Sequence, residues 1–325
     1  MSDLRPPDHR LRMPLNNEVH ARPPDSLDCP SRLSYLALFA DAAQREASLG
    51  ALRALAARFD APTPSEGASH YSADLGPFRV KWERHTEFVR YTFIVAGAGH
   101  DVALAAVPAD WVGSLPGALL AATHLTLVAA ASDDPLELAS QLFSPDELVG
   151  AAVADGAGLA FADFRIRESG FSRMLVQDRH MSRWQAGRVV QRLLEIDTYR
   201  MLALLALPVA QELGPTLGRW EQELAQVTTI MVTAGSSDEP RLLERLTRLA
   251  AEIDSRQADN LYRFSAASAY YELVQRRIAD LRESRLLWLQ TLQEFTERRL
   301  APAMNTCLSV AGRQEELSRR VARAT

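Results

Sequence analysis

The spacing of apolar residues changes from short, mixed patterns in the first half of the chain to a helical pattern in the second half. From residue 181 onwards, apolar positions recur at steps of three and four residues, which is typical of helices with one buried face. Ser182 and Gln185 have the spacing of a capping box, so we expect a helix to begin near Ser182. Pro208 should kink this helix, and Gly214-Pro215 should break or sharply bend it.

The stretch between Pro240 and Pro302 contains neither proline nor glycine, and it predicts very long helices. Between its two apolar blocks, the polar segment 254–260 predicts a stutter, a hinge or an exposed bend. The blocks follow alternating steps of four and three residues, which predicts a coiled-coil or bundle seam made of Leu242, Leu246, Leu249, Ile253, Phe264, Ala267, Tyr271, Val274, Ile278 and Leu281.

The first half alternates short strand-like runs with helical segments. In residues 78–83 and 88–93, aromatic and β-branched residues are interleaved with charged ones, which predicts a half-buried antiparallel meander. We expect helices near 41–59, 111–120 and 135–143, and strands near 33–39, 69–75, 78–83, 87–95, 124–129, 150–154, 159–166 and 171–176.

These patterns divide the chain into three segments. Residues 1–30 should form an extended, proline-rich arm, residues 31–180 a mixed α/β domain, and residues 181–325 a long-helix domain. The expected fold class is α+β: an N-terminal domain with a mixed, partly antiparallel sheet, followed by a long-helix bundle or coiled-coil stalk.

Composition narrows the classes of function. At 325 residues and 47% hydrophobic, the chain can bury a sizeable core. Its formal net charge of −5 argues against a polyelectrolyte binder of nucleic acid. Cys29 and Cys307 lack metal-ligand spacing, and neither a secretory signal nor a membrane span is evident, so we expect a cytoplasmic chain. Lys81 is the only lysine, which we attribute to a GC-rich genome.

The densest polar group in the chain lies within the predicted arm, in Leu15-Asn-Asn-Glu-Val-His-Ala-Arg-Pro-Pro24. Glu18 and His20 could transfer a proton, and Arg22 could hold an anion. In an extended arm Glu18 and His20 point the same way. The alternative, which we favour, is that the arm docks on the helical half, because a lone imidazole lacks the partners of known catalytic sites. The candidate cluster is Asn16, Asn17, Glu18, His20 and Arg22.

A second polar group precedes Pro208. Glu195, Asp197, Tyr199 and Arg200 fall on neighbouring helix faces. They could form a buried polar clasp to the α/β half, or they could be a solvated face.

Four stretches resemble an uncharacterised bacterial family of predicted membrane-anchored proteins, the domain-of-unknown-function family 3422. They are residues 15–24, 183–208, 301–307 and 314–323, and the resemblance covers nearly the whole chain. It implies that longer members continue into hydrophobic helices and are held at the cytoplasmic face of the inner membrane. The order of an α/β domain followed by long helices is also similar to the layout of CorA-type magnesium channels, a fold-level analogy that does not transmit function.

Three hypotheses about function follow. The first is a non-enzymatic oligomerising or scaffolding module, a homo-oligomer associated through the helical seam. The second is the regulatory domain of a CorA-like divalent-cation transporter, in which Mg²⁺ would bind oxygen ligands such as Asp238, Glu239, Asp254 and Asp259. The third is a hydrolase that uses the His20 arm.

Overall fold

The structure is a computed structural model that describes residues 6, 8–20, 25–130, 134–235 and 237–324, with the backbone alone at residues 14 and 18–20. The chain divides into two compact units. Unit 1 comprises Met1–Leu194 and Leu281–Thr291, and unit 2 comprises Glu195–Asp280 and Leu292–Thr325. The division falls inside a helix rather than at residue 181, and a short segment from the second half of the chain returns to unit 1.

Unit 1 is built on a nine-stranded mixed sheet with the strand order β2-β3-β4-β1-β5-β8-β7-β6-β9. The pairing of β5 with β8 is parallel, and the other strand pairs are antiparallel. The strands are β1 Ser31–Phe39, β2 His70–Asp74, β3 Arg79–Arg84, β4 Phe88–Ala96, β5 Ala118–Ala129, β6 Val149–Val153, β7 Gly158–Ala162, β8 Ser172–Asp178 and β9 Ser284–Arg285.

Helices occupy most of the second half, and the mixed α+β class is therefore confirmed. The capping box at the start of α5 is also confirmed, because the Ser182 N–H donates to Gln185 Oε1 and the Gln185 N–H donates to Ser182 Oγ. In the described ranges, no helix combines the length and apolarity that crossing a bilayer requires. The helices are α1 Arg12–His20, α2 Ala42–Arg58, α3 Ala109–Gly113, α4 Glu137–Leu142, α5 Arg183–Leu204, α6 Ala206–Met231, α7 Glu239–Leu281, α8 Leu292–Arg299 and α9 Ala301–Ala324.

The sheet has hydrophobic contacts on one side of β3 and β4 and charged residues on the other, and both sides are buried. Val80, Trp82 and Tyr91 pack in one core with Leu49 and Leu52 of α2. The predicted antiparallel meander is confirmed. Its half-buried character is wrong for β3 and β4, because the charged residues in between are buried as well. Residues 25–28 and the first half of α5 cover this second side of the sheet.

The predicted extended arm is wrong where the structure describes it, because residues 12–20 form α1. Pro14 lies in the first helical turn, where N–H groups have no acceptor within the helix. The missing N–H of proline therefore costs no hydrogen bond there. Arg12 forms an ion pair with Asp8, one turn earlier. Residues 21–24, including Arg22, lie outside the described residues.

Prolines have unequal effects on the helices. α5 ends at Leu204 and α6 begins at Ala206, so the predicted kink near Pro208 is confirmed. The predicted break at Gly214-Pro215 is wrong, because α6 continues through Pro215. Leu213 and Leu217 are buried on either side of it, and this packing outweighs the hydrogen bond that proline removes.

α7 is 43 residues long, about 65 Å at 1.5 Å per residue. It passes through the polar segment 254–260 without interruption, so the predicted hinge is wrong. Partners on neighbouring helices explain this: the Ser318 hydroxyl donates to Asp254, and Arg256 pairs with Glu212. The helix ends at Leu281, and Arg282 has a left-handed backbone with φ of 49°.

The predicted seam is buried within this chain. Its residues from Leu242 to Ile278 lie in unit 2, and all are buried except Tyr271, which is half-buried. Trp220 of α6 donates its indole N–H to Glu252 of α7. Hence α7 packs in a bundle with α6 and α9, and the seam is not an open surface.

The burial of the seam inside one chain makes a prediction about stability. Ile253→Ala should lower the free energy of unfolding by about 2–5 kcal/mol, because the site is fully buried. Urea denaturation at several protein concentrations measures this loss, which should not depend on concentration. Leu243→Ala, at an exposed position of the same helix, is the control and should change stability by less than about 0.5 kcal/mol. A loss that grows on dilution would contradict intramolecular burial.

Candidate functional site

The described polar residues of unit 1 meet in a buried group that we call the Lys81 cluster: Asp25, Lys81, Glu83 and Arg90. Glu83 of β3 lies directly opposite Arg90 of β4, and Arg90 Nε is 2.5 Å from Glu83 Oε2. Lys81 Nζ lies 4.0 Å from Glu83 Oε1 and 3.4 Å from Asp25 Oδ2. Opposite charges therefore alternate through the cluster, in which Glu83 is only 2% exposed and Arg90 4%.

Backbone contacts hold Asp25 in place. The Leu27 N–H donates to the Arg183 carbonyl at 3.1 Å, and Arg79 donates to the Ser26 carbonyl at 3.0 Å. A Cβ atom at Gly187 of α5 would lie 1.6 Å from the Asp25 carbonyl oxygen. Only glycine therefore allows the segment that begins at Asp25 to lie this close to α5.

Electrostatics favour the charged form of Glu83. Burial by itself would raise the pKa of this carboxyl group, but the charge and hydrogen bond of Arg90, with Lys81 adding its charge, lower the pKa to about 2. Glu83 is therefore ionised at neutral pH, and the buried charges of the cluster neutralise one another.

A cavity of about 30 Å³ adjoins the Lys81 cluster. Glu83 lines it, and its Oε1 has no hydrogen-bond partner among the described residues. The volume suits about two water molecules, and a water here would satisfy the carboxylate oxygen. The cavity is too small for an organic substrate. Its chemistry fits an anchor that fixes residues 25–28, directly after the polar motif, on the sheet.

The described part of the motif lies on α1. Asn16 and Asn17 are exposed on α1, Glu18 and His20 belong to the same helix, and Arg22 lies outside the described residues. Positions two apart align in an extended segment but are separated by about 200° around a helix. The shared face that we expected for Glu18 and His20 therefore does not follow from this backbone.

The second predicted group is largely buried in unit 2. Glu195 pairs with Arg277 of α7, and Asp197 accepts a hydrogen bond from Arg200 at 2.9 Å. Burial opposes the charge of Arg277, but the facing Glu195 raises the pKa of this guanidinium. Tyr199 stacks on the α7 residue Tyr270, with a ring separation of 5.9 Å. The group thus connects α5 to α7.

Ser34 and His124 form a further polar pair that the sequence did not suggest. Ser34 Oγ lies 2.9 Å from His124 Nδ1 and accepts the Leu104 N–H. Burial, with the charge of Arg173 adding to it, lowers the pKa of His124 to about 4, and its ring stacks on Phe171. Ser34 is completely buried, so its hydroxyl cannot reach a substrate. The pair is a satisfied contact between β1 and β5.

The proposed magnesium ligands do not converge. Glu239 and Asp254 are separated by roughly 22 Å along α7, at about 1.5 Å per residue. Asp254 accepts the Ser318 hydroxyl, and Asp238 accepts the Gly235 N–H at the start of the helix. In the part of the chain that the structure describes, no group of three or more His, Cys, Asp or Glu side chains is placed to hold a metal ion.

Unit 2 has an open groove between α7 and α9, with a volume of about 500 Å³. We call it the α7–α9 groove. Leu261 is 59% exposed and Leu308 48%, and both line it. A Cβ atom added at Gly312 would meet no atom within 4 Å. Gln314 is 2% exposed, and its Nε2 has no hydrogen-bond partner among the described residues. The groove thus has exposed apolar sides and one unsatisfied buried donor.

Sequence reasoning did not identify the Lys81 cluster or the groove. Lys81 was distinctive as the only lysine, but we attributed it to genome composition. A usable signal was present, since charges at alternate positions of two strongly apolar strands, such as Lys81 and Glu83, can pair across a buried face. The groove had no such signal, because it depends on how two helices distant in sequence pack.

Comparison with family models finds a match over residues 7–325 to DUF3422, a family of proteins of unknown function. No curated protein and no solved structure matches the chain. The family match confirms the resemblance seen in the sequence. Membrane attachment, a bacterial source and a cytoplasmic location stay predictions.

The close approach of α5 to Asp25 makes the first prediction of this subsection. Gly187→Ala should lower the free energy of unfolding by about 1–3 kcal/mol, because its methyl group would overlap the Asp25 carbonyl. Chemical denaturation followed by circular dichroism measures the loss. Gly50→Ala in α2, where a Cβ meets nothing within 4 Å, is the control and should stabilise the protein slightly. Equal effects at the two glycines would contradict the packing.

The second prediction concerns pH. Glu83 has a lower pKa in the folded chain, about 2 against an ordinary 4.5, so its contribution to stability is complete above pH 4.5 and is lost as the pH falls towards 2. At about 1.4 kcal/mol for each pH unit, this contribution is about 3 kcal/mol. We expect Glu83→Gln to be less stable than the wild type at pH 7, with the difference shrinking between pH 4.5 and 2. Urea denaturation across this range checks it, and a difference independent of pH would refute it.

Proposed function

Because this chain belongs to the DUF3422 family, whose function is unknown, we propose a function from the geometry of unit 2. The chain is a non-enzymatic scaffolding module that self-associates through the α7–α9 groove. The observation that carries this proposal is an open groove that is lined on both helices by exposed leucines.

The groove exposes apolar side chains of the kind that protein interiors bury. Leu261 and Leu308 expose large apolar surfaces on its two helices, and covering such surface is favourable. Gln314 Nε2 has no acceptor among the described residues, but it is buried beneath the groove surface, so a partner cannot reach it unless the side chain moves. A protein surface with apolar side chains would cover the exposed leucines.

Self-association through the seam, as the sequence suggested, is not supported by the packing. The seam residues contact other helices of the same unit and offer little surface to a second chain. The groove lies beside that seam and shares Phe264 with it, but it is open. We therefore place the proposed interface of the helical half at the groove and not at the seam.

The two alternatives lack a supporting arrangement in the described residues. The acidic residues suggested for Mg²⁺ are spread along α7 and the residue before it, and positions 18 and 20 are about 200° apart around the backbone of α1. Neither the transporter regulator nor the hydrolase is therefore proposed.

Self-association is tested by the mass of the full chain in solution. Light scattering after size exclusion, or sedimentation, at about 1–50 μM should show a species larger than one chain. Leu308→Glu places a charge in the groove and should weaken association at least tenfold, as loss of an interface anchor does.

Leu243→Glu is the matched control, since it introduces the same charge at an exposed leucine outside the groove. It should associate like the wild type. A wild-type chain that stays monomeric throughout this concentration range, or equal effects of the two substitutions, would overturn the proposal. Circular dichroism of both variants shows that they are folded.

A further inference from the structure

A tight turn in unit 1 presents two large apolar side chains to solvent. The Leu289 N–H donates to the Leu286 carbonyl at 3.1 Å, which closes a β-turn with Leu287 and Trp288 at its centre. Leu287 is 57% exposed and Trp288 65%. These are the residue types that most favour burial, and here they are adjacent at the tip of a turn.

The rest of this turn is rigidly held. Leu286 and Leu289 are buried in a core with Phe161 and Leu175. The Gly150 N–H donates to the Gln290 carbonyl at 3.0 Å, and Arg285 donates to the Leu289 carbonyl. The tip therefore cannot turn inward without breaking contacts that fix its flanks.

The backbone at the tip is strained. Leu287 has a φ of 52°, a left-handed conformation that glycine adopts freely and that costs a leucine energy. Turns with positive φ at this position usually have glycine there. A strained leucine next to an exposed tryptophan is not explained by the stability of the isolated chain, and such strain is typical of functional sites.

The α7–α9 groove has the matching properties. Its volume of about 500 Å³ is in the range of pockets that enclose small organic molecules, and a Leu-Trp pair is of that size. Its two sides carry the exposed apolar side chains of Leu261 and Leu308, which the apolar tip of a turn can cover. Tryptophan is also among the residues that most often anchor protein interfaces.

We propose that the Leu287–Trp288 turn of one copy inserts into the α7–α9 groove of a second copy of this chain. The inference rests on the self-association proposed above and names the segment that fills the groove. The contact joins two different surfaces, the turn and the groove. It can therefore form twice in a two-fold symmetric dimer, or once between successive copies in a head-to-tail assembly.

The experiment compares two exposed tryptophans by sedimentation of the full chain. Trp288→Ala should weaken self-association at least tenfold, whereas Trp184→Ala, which removes another exposed tryptophan, 56% against 65%, from α5, should not. Gly312→Leu is a second variant that places an apolar side chain in the groove, at a position where an added Cβ meets no atom within 4 Å. It should weaken association while raising helix stability, so unfolding cannot explain the loss.

Mixing then identifies the partners directly. Trp288→Ala keeps an intact groove, and Leu308→Glu keeps an intact turn. At a concentration where neither associates alone, an equimolar mixture should form heterodimers.

The outcomes separate the two proposals. If Leu308→Glu weakens association but Trp288→Ala does not, the groove is the interface and another segment fills it, which overturns this inference alone. If the mixture forms no heterodimer, the turn and the groove are not partners. If the wild type is monomeric, both proposals fail.

Discussion

A carboxylate that is 2% exposed in the middle of a sheet must have a positive charge within reach, and Glu83 sets this requirement for unit 1. Arg90 meets it from the directly opposite position, which is possible only in the observed register of β3 with β4. A slip of one residue would turn the charged side chains into the apolar core beneath α2. The pair therefore fixes the register, and the register fixes which side of the sheet α5 and residues 25–28 must cover.

The fold could be predicted where local chemistry decides it. β1 to β4, α2 and the start of α5 lie close to their expected positions, because alternation, turns and capping are encoded within a few residues. Helix ends that depend on tertiary packing could not be predicted from the sequence. Pro215 is accommodated inside α6 because Leu213 and Leu217 are buried on either side, and these contacts are not visible in the sequence of that turn.

The candidate site was harder to predict than the fold, for a physical reason. Glu195 and Asp197 could be identified as a polar group because they lie in one helix, whereas their partner Arg277 is far along the chain. The Lys81 cluster needs two strands, the segment after the motif and a glycine in α5. The motif itself was the strongest polar signal in the sequence, but α1 does not give it the extended backbone on which the shared-face argument depended.

Two buried polar atoms, Glu83 Oε1 and Gln314 Nε2, have no hydrogen-bond partner among the described residues, and their surroundings differ. The cavity at Glu83 has a volume of about 30 Å³ and is bordered by charges, so it has room for water that would satisfy the carboxylate oxygen. The groove at Gln314 holds about 500 Å³ between exposed leucines, where isolated water would leave apolar surface uncovered. The first atom therefore needs no partner chain, because a water in the cavity would satisfy it. The second lies beside apolar surface that stays exposed in a single chain. The strained turn at Leu287 also exposes apolar side chains, which could cover that surface in a second copy.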